Sequence, residues 1–372
     1  MPADLKVWAD ELLQPAGIKL NGPNPWDPQI HNRFFLSRVS TQGSLGLGEA
    51  YMDGWWDCDA LDDFFYRLLS FGIDAKIGWS WPVIWGGIKS IIINPQSVWR
   101  AFQVGEAHYD LGNDLFEAML DKRLAYSCGY WREADNLDAA QEAKLDLICR
   151  KLGLRPGQKI LDIGCGWGSL VKYAAQKYGV SAVGITVSKE QAKLAQESCV
   201  GLPVEIRVED YRKLNEKFDH LASVGMIEHV GSKNYRVYME TARRCLKDDG
   251  LFLLHTIGSL KSSYGTEPWL DKYIFPNGQL PSLKQLTAAI EGLFVIEDIQ
   301  NFSADYDKTL MAWHANFEAA WPRLQAKYGE RFHRMWKYYL LCCAGTFRSR
   351  MNQLWQLVLS PRGVPGGYKS IR

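Results

Sequence analysis

From about Asn136 onward the apolar positions alternate between two periods. Leu137, Ala140, Lys144, Leu145, Ile148 and Leu152 recur at helical spacing behind Asn136, a residue suited to cap a helix start. Arg155-Pro156-Gly157 ends that helix and turns the chain. A short apolar run, Lys159–Ile163, leads into Gly164-Cys165-Gly166-Trp167-Gly168. A helix over Ser169–Tyr178, a strand over Ala182–Thr186 and a helix over Lys189–Ser198 capped by Ser188 are predicted next. Strand patterns recur at Val204–Val208, His220–Val224 and Gly250–Thr256, with a helix at Asn234–Leu246 between the last two. Strands alternating with helices predict an α/β doubly wound, mostly parallel sheet with helices on both faces. Ligands of such sheets bind beyond the carboxyl ends of the strands, where the glycine loop falls.

The first 93 residues read differently. Helical spacing in Leu5, Trp8, Leu12, in Phe34, Phe35, Val39 and in Phe64, Phe65, Leu68, Leu69 predicts a smaller, mainly helical domain over residues 1–93. The Gly-rich stretch Gln42–Glu49 reads as a turn between its helices. The segment Ile77–Trp99 is Trp-rich and nearly uncharged, and suits packed interior, a linker, an interdomain contact or a membrane-facing surface. The catalytic domain is then expected over residues 94–372.

Composition is that of a globular protein, with 47% apolar and 23% charged residues, but it includes 15 Trp, 17 Tyr and 15 Phe. Such an excess suits large aromatic cores, or a protein that handles bulky apolar ligands at a membrane interface. No apolar run follows a basic start, so no secretory leader is expected. Charged residues and prolines break every long apolar stretch, so no spanning helix is expected either. Eight cysteines without a CxxC pair suit reduced thiols in a cytoplasmic protein. Charge is uneven: Arg323–Arg372 holds ten Lys and Arg against one acid, Glu330, which makes +9 there and −8 before it in a chain of net +1. A basic stretch attracts phosphate, in nucleic acid or in anionic lipid. On a helix through Arg331–Phe347, the positions Trp336, Tyr339, Leu340, Cys343 and Phe347 share one face. Arg334 and Lys337 point the other way, with Arg348 near them, and are expected to meet solvent or an anionic bilayer.

The glycine loop narrows the cofactor. A dinucleotide site requires Gly-x-Gly-x-x-Gly and an acid ending the second strand, yet Ser169 and Thr186 stand at those places. A phosphate loop requires Gly-Lys-Ser/Thr, which is absent. The run Leu161–Gly168 instead resembles the first motif of the class I S-adenosylmethionine (SAM) methyltransferases. That resemblance implies a SAM site at Gly164, Cys165, Gly166 and Gly168, with Thr186 and Gln191, then Asp210 and Tyr211, holding ribose and adenine.

Further stretches carry more specific information. Gly43–Glu49, Tyr51–Trp56, Gly105–Asp114, Tyr126–Trp131, Val224–Gly231, Leu254–Gly258 and Ala304–Asp307 resemble those of cyclopropane-fatty-acyl-phospholipid synthases and their mycolic-acid-modifying relatives. The resemblance runs from about residue 40 nearly to the end. It implies methylene transfer from SAM to the cis double bond of an unsaturated phospholipid acyl chain, with Tyr126 and Ser127 added to the cofactor site. It also implies a bicarbonate base cradled by Cys128, Glu228, His255, the Ile257 backbone and Tyr306, and a homodimer at the inner face of the cell membrane. No metal and no nucleic acid is expected. The alternative is a SAM-dependent methyltransferase acting on another lipid or a small acceptor.

The chemistry demands such residues. A cis alkene attacking a sulfonium methyl leaves a cation on the acyl chain, and loss of a proton from the new methyl closes the ring. Aromatic faces stabilise a cation by about 0.5–2 kcal/mol each without attacking it, and Tyr130, Trp131 and Tyr306 are candidates. Read without the resemblance, Glu228 itself is the candidate base, oriented by His255 or His229. Each residue also has a plainer reading: Glu228 as a helix cap, His255 as a hydrogen-bonded core histidine, Cys128 as a small buried side chain, Tyr306 as packing. Cys343 is a weak catalytic candidate, because its helical face favours packing.

Overall fold

The computed structural model describes residues 3–72, 112–263 and 265–372. The Ile77–Trp99 segment and residues 105–111 of the Gly105–Asp114 motif lie outside the described residues, as does the expected boundary at 93/94.

Seven strands form one sheet: β1 (Lys159–Ile163), β2 (Ser181–Thr186), β3 (Val204–Val208), β4 (Phe218–Val224), β5 (Leu246–Ser259), β6 (Val295–Asn301) and β7 (Asn352–Ser360). Their order across the sheet is β3-β2-β1-β4-β5-β7-β6. Strands β3, β2, β1, β4 and β5 pair in parallel, and β6 pairs antiparallel with β7. The order reverses between β1 and β4, so the loops after these two strands open side by side.

Alternation along the strands explains why both faces are covered. Ile160, Ala182 and Leu253 pack with Leu145, Ile148, Leu152, Leu170, Val171 and Ala195, from helices α1 (Leu137–Leu152), α2 (Ser169–Tyr178) and α3 (Lys189–Ser198). Their strand neighbours Leu161, Val183, Phe252 and Leu254 pack with Tyr238, Met239, Leu286 and Ile290, from α4 (Tyr235–Cys245) and α5 (Leu283–Ile290). The expected caps form: the Asn136 side chain accepts from the Ala139 amide and Ser188 from the Gln191 amide.

The antiparallel pair β6–β7 is absent from the sequence reading. Polar residues interrupt its apolar positions, Glu297, Asp298 and Gln300 in β6 and Gln353 and Gln356 in β7, and the three glutamines are buried despite their polarity. Gly258, near the end of β5, lies so close to β7 that an added Cβ would approach the Trp355 ring to 1.9 Å.

The chain divides into two compact units. The sheet unit comprises residues 94–263, 277–305 and 353–372; the helical unit comprises 1–93, 264–276 and 306–352. The segment 94–372 is therefore not one unbroken domain, because two late segments belong to the helical unit. Within that unit the expected turn at Gln42–Glu49 is helical, inside Phe35–Met52, with a break only at Gly43 (φ 59°, ψ −137°). The glycines serve close packing instead, since a Cβ on Gly48 would meet the Trp269 ring at 2.4 Å. Trp56, Trp269, Trp313 and Trp336 are fully buried, so these four of the fifteen Trp are core.

The late basic stretch is not a free patch. On the helix Glu330–Arg348, the Arg334 side chain is 18% exposed, pairs with Asp57 at 2.7 Å and donates to the Trp56 carbonyl at 2.8 Å. Its guanidinium lies 4.3 Å from the centre of the Tyr51 ring. Arg348 bridges Asp62 (2.7 Å) and Asp307 (2.9 Å). Arg331 pairs with Asp53, Arg362 with Asp248 and Arg372 with Asp298. The expectation that Arg334 and Arg348 face solvent is thus corrected: acids from earlier in the chain meet them. The apolar face of that helix packs as expected, with Trp336, Tyr339, Leu340 and Phe347 buried.

Candidate active site

The loop after β1 has the shape its glycines allow. Gly164, Gly166 and Gly168 take φ of 87°, 54° and 83°, left-handed values that favour glycine. The Gly164 and Cys165 amides donate to the Ile185 carbonyl at 3.0 and 2.9 Å, which ties the loop to β2. A Cβ on Gly164 would meet Met226 at 2.9 Å, whereas one on Gly166 would meet nothing within 4 Å. Cys165 is buried and packs within 2.8 Å of where a Gly184 Cβ would stand, so its thiol is packing.

Residues expected to hold the rest of SAM gather at the ends of β2 and β3. The Thr186 hydroxyl donates to Gln191 Oε1 at 3.0 Å and accepts from the Ser188 amide at 3.2 Å. Asp210 is buried and accepts from both the amide and Nε of Arg212 at 2.9 Å. The Tyr211 ring meets Tyr238 edge-on at 5.0 Å, and its buried hydroxyl has no hydrogen-bond partner among the described residues. The Tyr126 ring meets Phe116 at 5.2 Å, and Phe116 meets Trp167 of the glycine loop at 4.9 Å. Asn113 Oδ1 accepts from Trp167 Nε1 at 3.3 Å, so the described end of the Gly105–Asp114 motif also packs on this loop. The open space at Gly166 and the orphaned Tyr211 hydroxyl fit a nucleoside-bearing ligand laid across the loop.

Ser127 reveals a residue the sequence reading passed over. Its Oγ accepts from Lys144 Nζ at 2.9 Å, and its carbonyl accepts from Gln141 Nε2 at 2.7 Å. Lys144 is fully buried on α1; burial lowers its ammonium to about 8, opposed by Asp121, Cys128 and Asp162. Burial lifts the Asp162 carboxyl to about 7, with Lys144 pulling the other way. A lysine among the apolar positions of one helical face was the signal.

The residues expected to hold the base lie on the loop after β4 and on β5. Glu228 follows β4 in a short 3-10 turn over Ile227–His229 and is 6% exposed. Its Oε1 accepts from the Ile257 amide at 2.7 Å, while Oε2 is buried without a partner among the described residues. Burial pushes its carboxyl up to about 7 against the hydrogen bonds it accepts. The Gln279 amide holds the Glu228 carbonyl at 2.7 Å. His255 lies on β5, paired in register with Val224 of β4. Its ring is buried, and burial together with the Lys144 and Lys151 cations holds it neutral. Nδ1 lies 3.2 Å from Gln356 Nε2, and Nε2 has no partner among the described residues. Phe302 meets both His255 (5.7 Å) and Tyr130 (5.3 Å) edge-on. Cys128 is fully buried, its Sγ 3.1 Å from the Gly129 carbonyl. The Trp131 amide donates to Asp305 at 2.8 Å, which joins two of the sequence motifs.

Of the five expected cradle residues, Cys128, Glu228, His255 and Ile257 thus fall in the sheet unit. The Ile257 amide is engaged by Glu228 itself. Tyr306 belongs to the helical unit, where its ring stacks on Phe347 at 4.4 Å and meets Trp313 edge-on at 6.0 Å. Cys343 also lies in the helical unit, and burial pushes its thiol up to about 12, far from a reactive thiolate. Cys343→Ala is therefore expected to keep turnover near that of the wild type; a large loss in a steady-state assay of the folded variant would restore its catalytic candidacy.

Sheet order and glycine loop are those of a class I SAM-dependent methyltransferase. The crystal structure of mycolic acid cyclopropane synthase CmaA1 complexed with SAH and CTAB superposes with a TM-score of 0.65 at 32% identity, covering 69% of this chain and 97% of that one. The family described as mycolic acid cyclopropane synthetase matches residues 96–357. The cyclopropane-fatty-acyl-phospholipid synthase of Escherichia coli strain K12 is 54% identical over 364 residues, 98% of this chain and 95% of that protein. Cyclopropane mycolic acid synthase 1 of Mycobacterium tuberculosis H37Rv is 36% identical over 263 residues, 65% of this chain and 91% of that protein. The chain belongs to the cyclopropane synthase family of SAM-dependent enzymes.

Proposed function

We propose that this enzyme transfers a methylene carbon from SAM to the cis double bond of an unsaturated phospholipid acyl chain. The observation that carries the phospholipid reading is the extent of the likeness. Identity to the phospholipid synthase spans both units, whereas identity to the mycolic acid synthase covers about two thirds of the chain.

SAM, when bound, supplies an electrophilic sulfonium methyl. The Gly164–Gly168 loop, Thr186 with Gln191, Asp210 with Tyr211, and Tyr126 with Ser127 would hold it. An alkene would be a weak nucleophile toward that methyl, with the thioether as leaving group, so alignment by these residues would be worth several kcal/mol. Tyr130 and Trp131 would face the resulting cation without quenching it. The orphaned Glu228 Oε2 and His255 Nε2, both buried, support a cradle for a small oxyanion completed by Cys128. Bicarbonate bound there would supply a proton acceptor.

Incubation with unsaturated phosphatidylglycerol vesicles and labelled SAM is expected to give acyl chains heavier by one CH2 with the double bond converted to a ring. A methyl-branched saturated chain, or label only in a small acceptor, would overturn the assignment.

We further assign the enzyme to the cytoplasmic face of the membrane as a peripheral protein, the helical unit serving contact or assembly. All eight cysteines are free, which supports a reducing compartment, and no described helix is long and apolar enough to cross a membrane. Because the late arginines are largely paired internally, vesicle binding is expected to change little as salt is raised; a steep loss would reinstate an electrostatic dock. Sedimentation tests the homodimer that the family resemblance implies.

A further inference from the structure

His255 Nε2 carries chemistry only if its protonation state is set, and a neutral imidazole holds its single proton on one nitrogen or the other. The partner of the far nitrogen decides which. That partner is Gln356, from β7, the neighbour of β5 in the sheet. Its side chain is fully buried within a strand whose flanking residues, Trp355 and Leu357, are apolar core. A buried carboxamide in such a place costs free energy unless it makes a specific bond. In this orientation Gln356 Nε2, 3.2 Å from His255 Nδ1, is a donor, so Nδ1 offers its lone pair and the ring proton sits on Nε2, while Gln356 Oε1 is buried without a partner among the described residues. Nε2 is the ring atom left without a partner among the described residues. Two residues further along β5, the Ile257 amide fixes Glu228 through Oε1, leaving Oε2 orphaned. With the carboxamide turned over, Nδ1–H would donate to Gln356 Oε1, and Nε2 would present a lone pair that repels any anion.

We propose that Gln356 is a positioning residue that holds His255 as the Nε2–H tautomer, so that the ring offers a hydrogen-bond donor to the small oxyanion of the active site. Gln356 touches neither substrate nor cofactor in this scheme and acts through His255 alone. The inference rests on reading that site as an oxyanion cradle.

The tautomer is read directly by 15N NMR on enzyme labelled in its seven histidines, with the His255→Asn spectrum assigning the signal. The expected result is a protonated-type Nε2 and an unprotonated-type Nδ1. Gln356→Glu, whose carboxylate can only accept, should move the proton to Nδ1 and lower kcat by at least about tenfold, with SAM affinity unchanged. Gln356→Met, which imposes neither tautomer, should give a mixed signal and a smaller loss. A wild-type His255 protonated on Nδ1 overturns the proposal even if both variants fail to fold. If Nε2 is protonated but its shift ignores added bicarbonate, the tautomer assignment stands and the bicarbonate reading fails.

Discussion

Glu228→Gln is expected to slow turnover by about 10²–10⁴-fold, the range typical for loss of a positioned proton-transfer group, while calorimetry shows SAM affinity nearly unchanged. Gln keeps the oxygen that accepts from the Ile257 amide, so the loop should hold its shape. What it loses is the titratable Oε2. The same substitution should stabilise the protein in a pH-dependent way. Burial raises the Glu228 carboxyl to about 7 in the folded chain, against about 4.3 for an ordinary glutamate. Below that lower value both states are protonated and the group costs nothing. As pH rises toward 7 the unfolded chain ionises first, so stability falls; above 7 both are ionised and the cost is constant. The melting advantage of the Gln variant should therefore grow between these two values and then level off, at on the order of 3 kcal/mol. A variant less stable than wild type at alkaline pH would contradict the burial argument. Removing bicarbonate from the buffer should slow the wild type, and adding it back should restore the rate. A wild-type rate indifferent to bicarbonate, together with an inactive Glu228→Gln, would make the carboxylate itself the base.

How far the sequence could be read depended on whether a side chain's role lay within its own element. Helices α2 and α3 were legible to the residue because Gly168, Gly179 and Ser188 mark their ends. Strands β1 and β2 were legible because burial on both faces gives them short, mostly apolar runs, and the edge strand β3 because its apolar and charged residues alternate. Strands β6 and β7 were not, because Glu297, Asp298 and Gln300 interrupt the one and Gln353 and Gln356 the other. Gln300 bonds Lys151 at 2.6 Å, Gln353 bonds Asn301 at 2.7 Å and Gln356 faces His255. Arg334 shows the converse limit. Its helix was placed correctly and its side assigned as polar, but one helix does not reveal that Tyr51, Trp56 and Asp57 cover that side. Glu228, His255 and Cys128 were proposed by motif, since no periodicity distinguishes a candidate catalytic carboxyl from a helix cap.

Gly166→Val is expected to lower SAM affinity at least a hundredfold, roughly 2.8 kcal/mol. A Cβ there meets no protein atom within 4 Å, so the branched side chain would occupy space the structure leaves open on the cofactor side of the loop. Two effects must be separated. At φ 54° a β-branched residue is strained, by about 1–3 kcal/mol, and strain alone could loosen the loop. Gly201 supplies the control. It has φ 79°, a Cβ there would also meet nothing within 4 Å, and it lies between α3 and β3, away from the glycine loop. Gly201→Val should therefore suffer similar strain and a similar drop in melting temperature, yet bind SAM like the wild type. If calorimetry shows equal affinity losses in the two variants, the loss reflects backbone strain and the glycine loop forfeits its place in the cofactor site. If only Gly166→Val fails, with both variants folded, the loop after β1 holds the cofactor by the space its missing side chain provides.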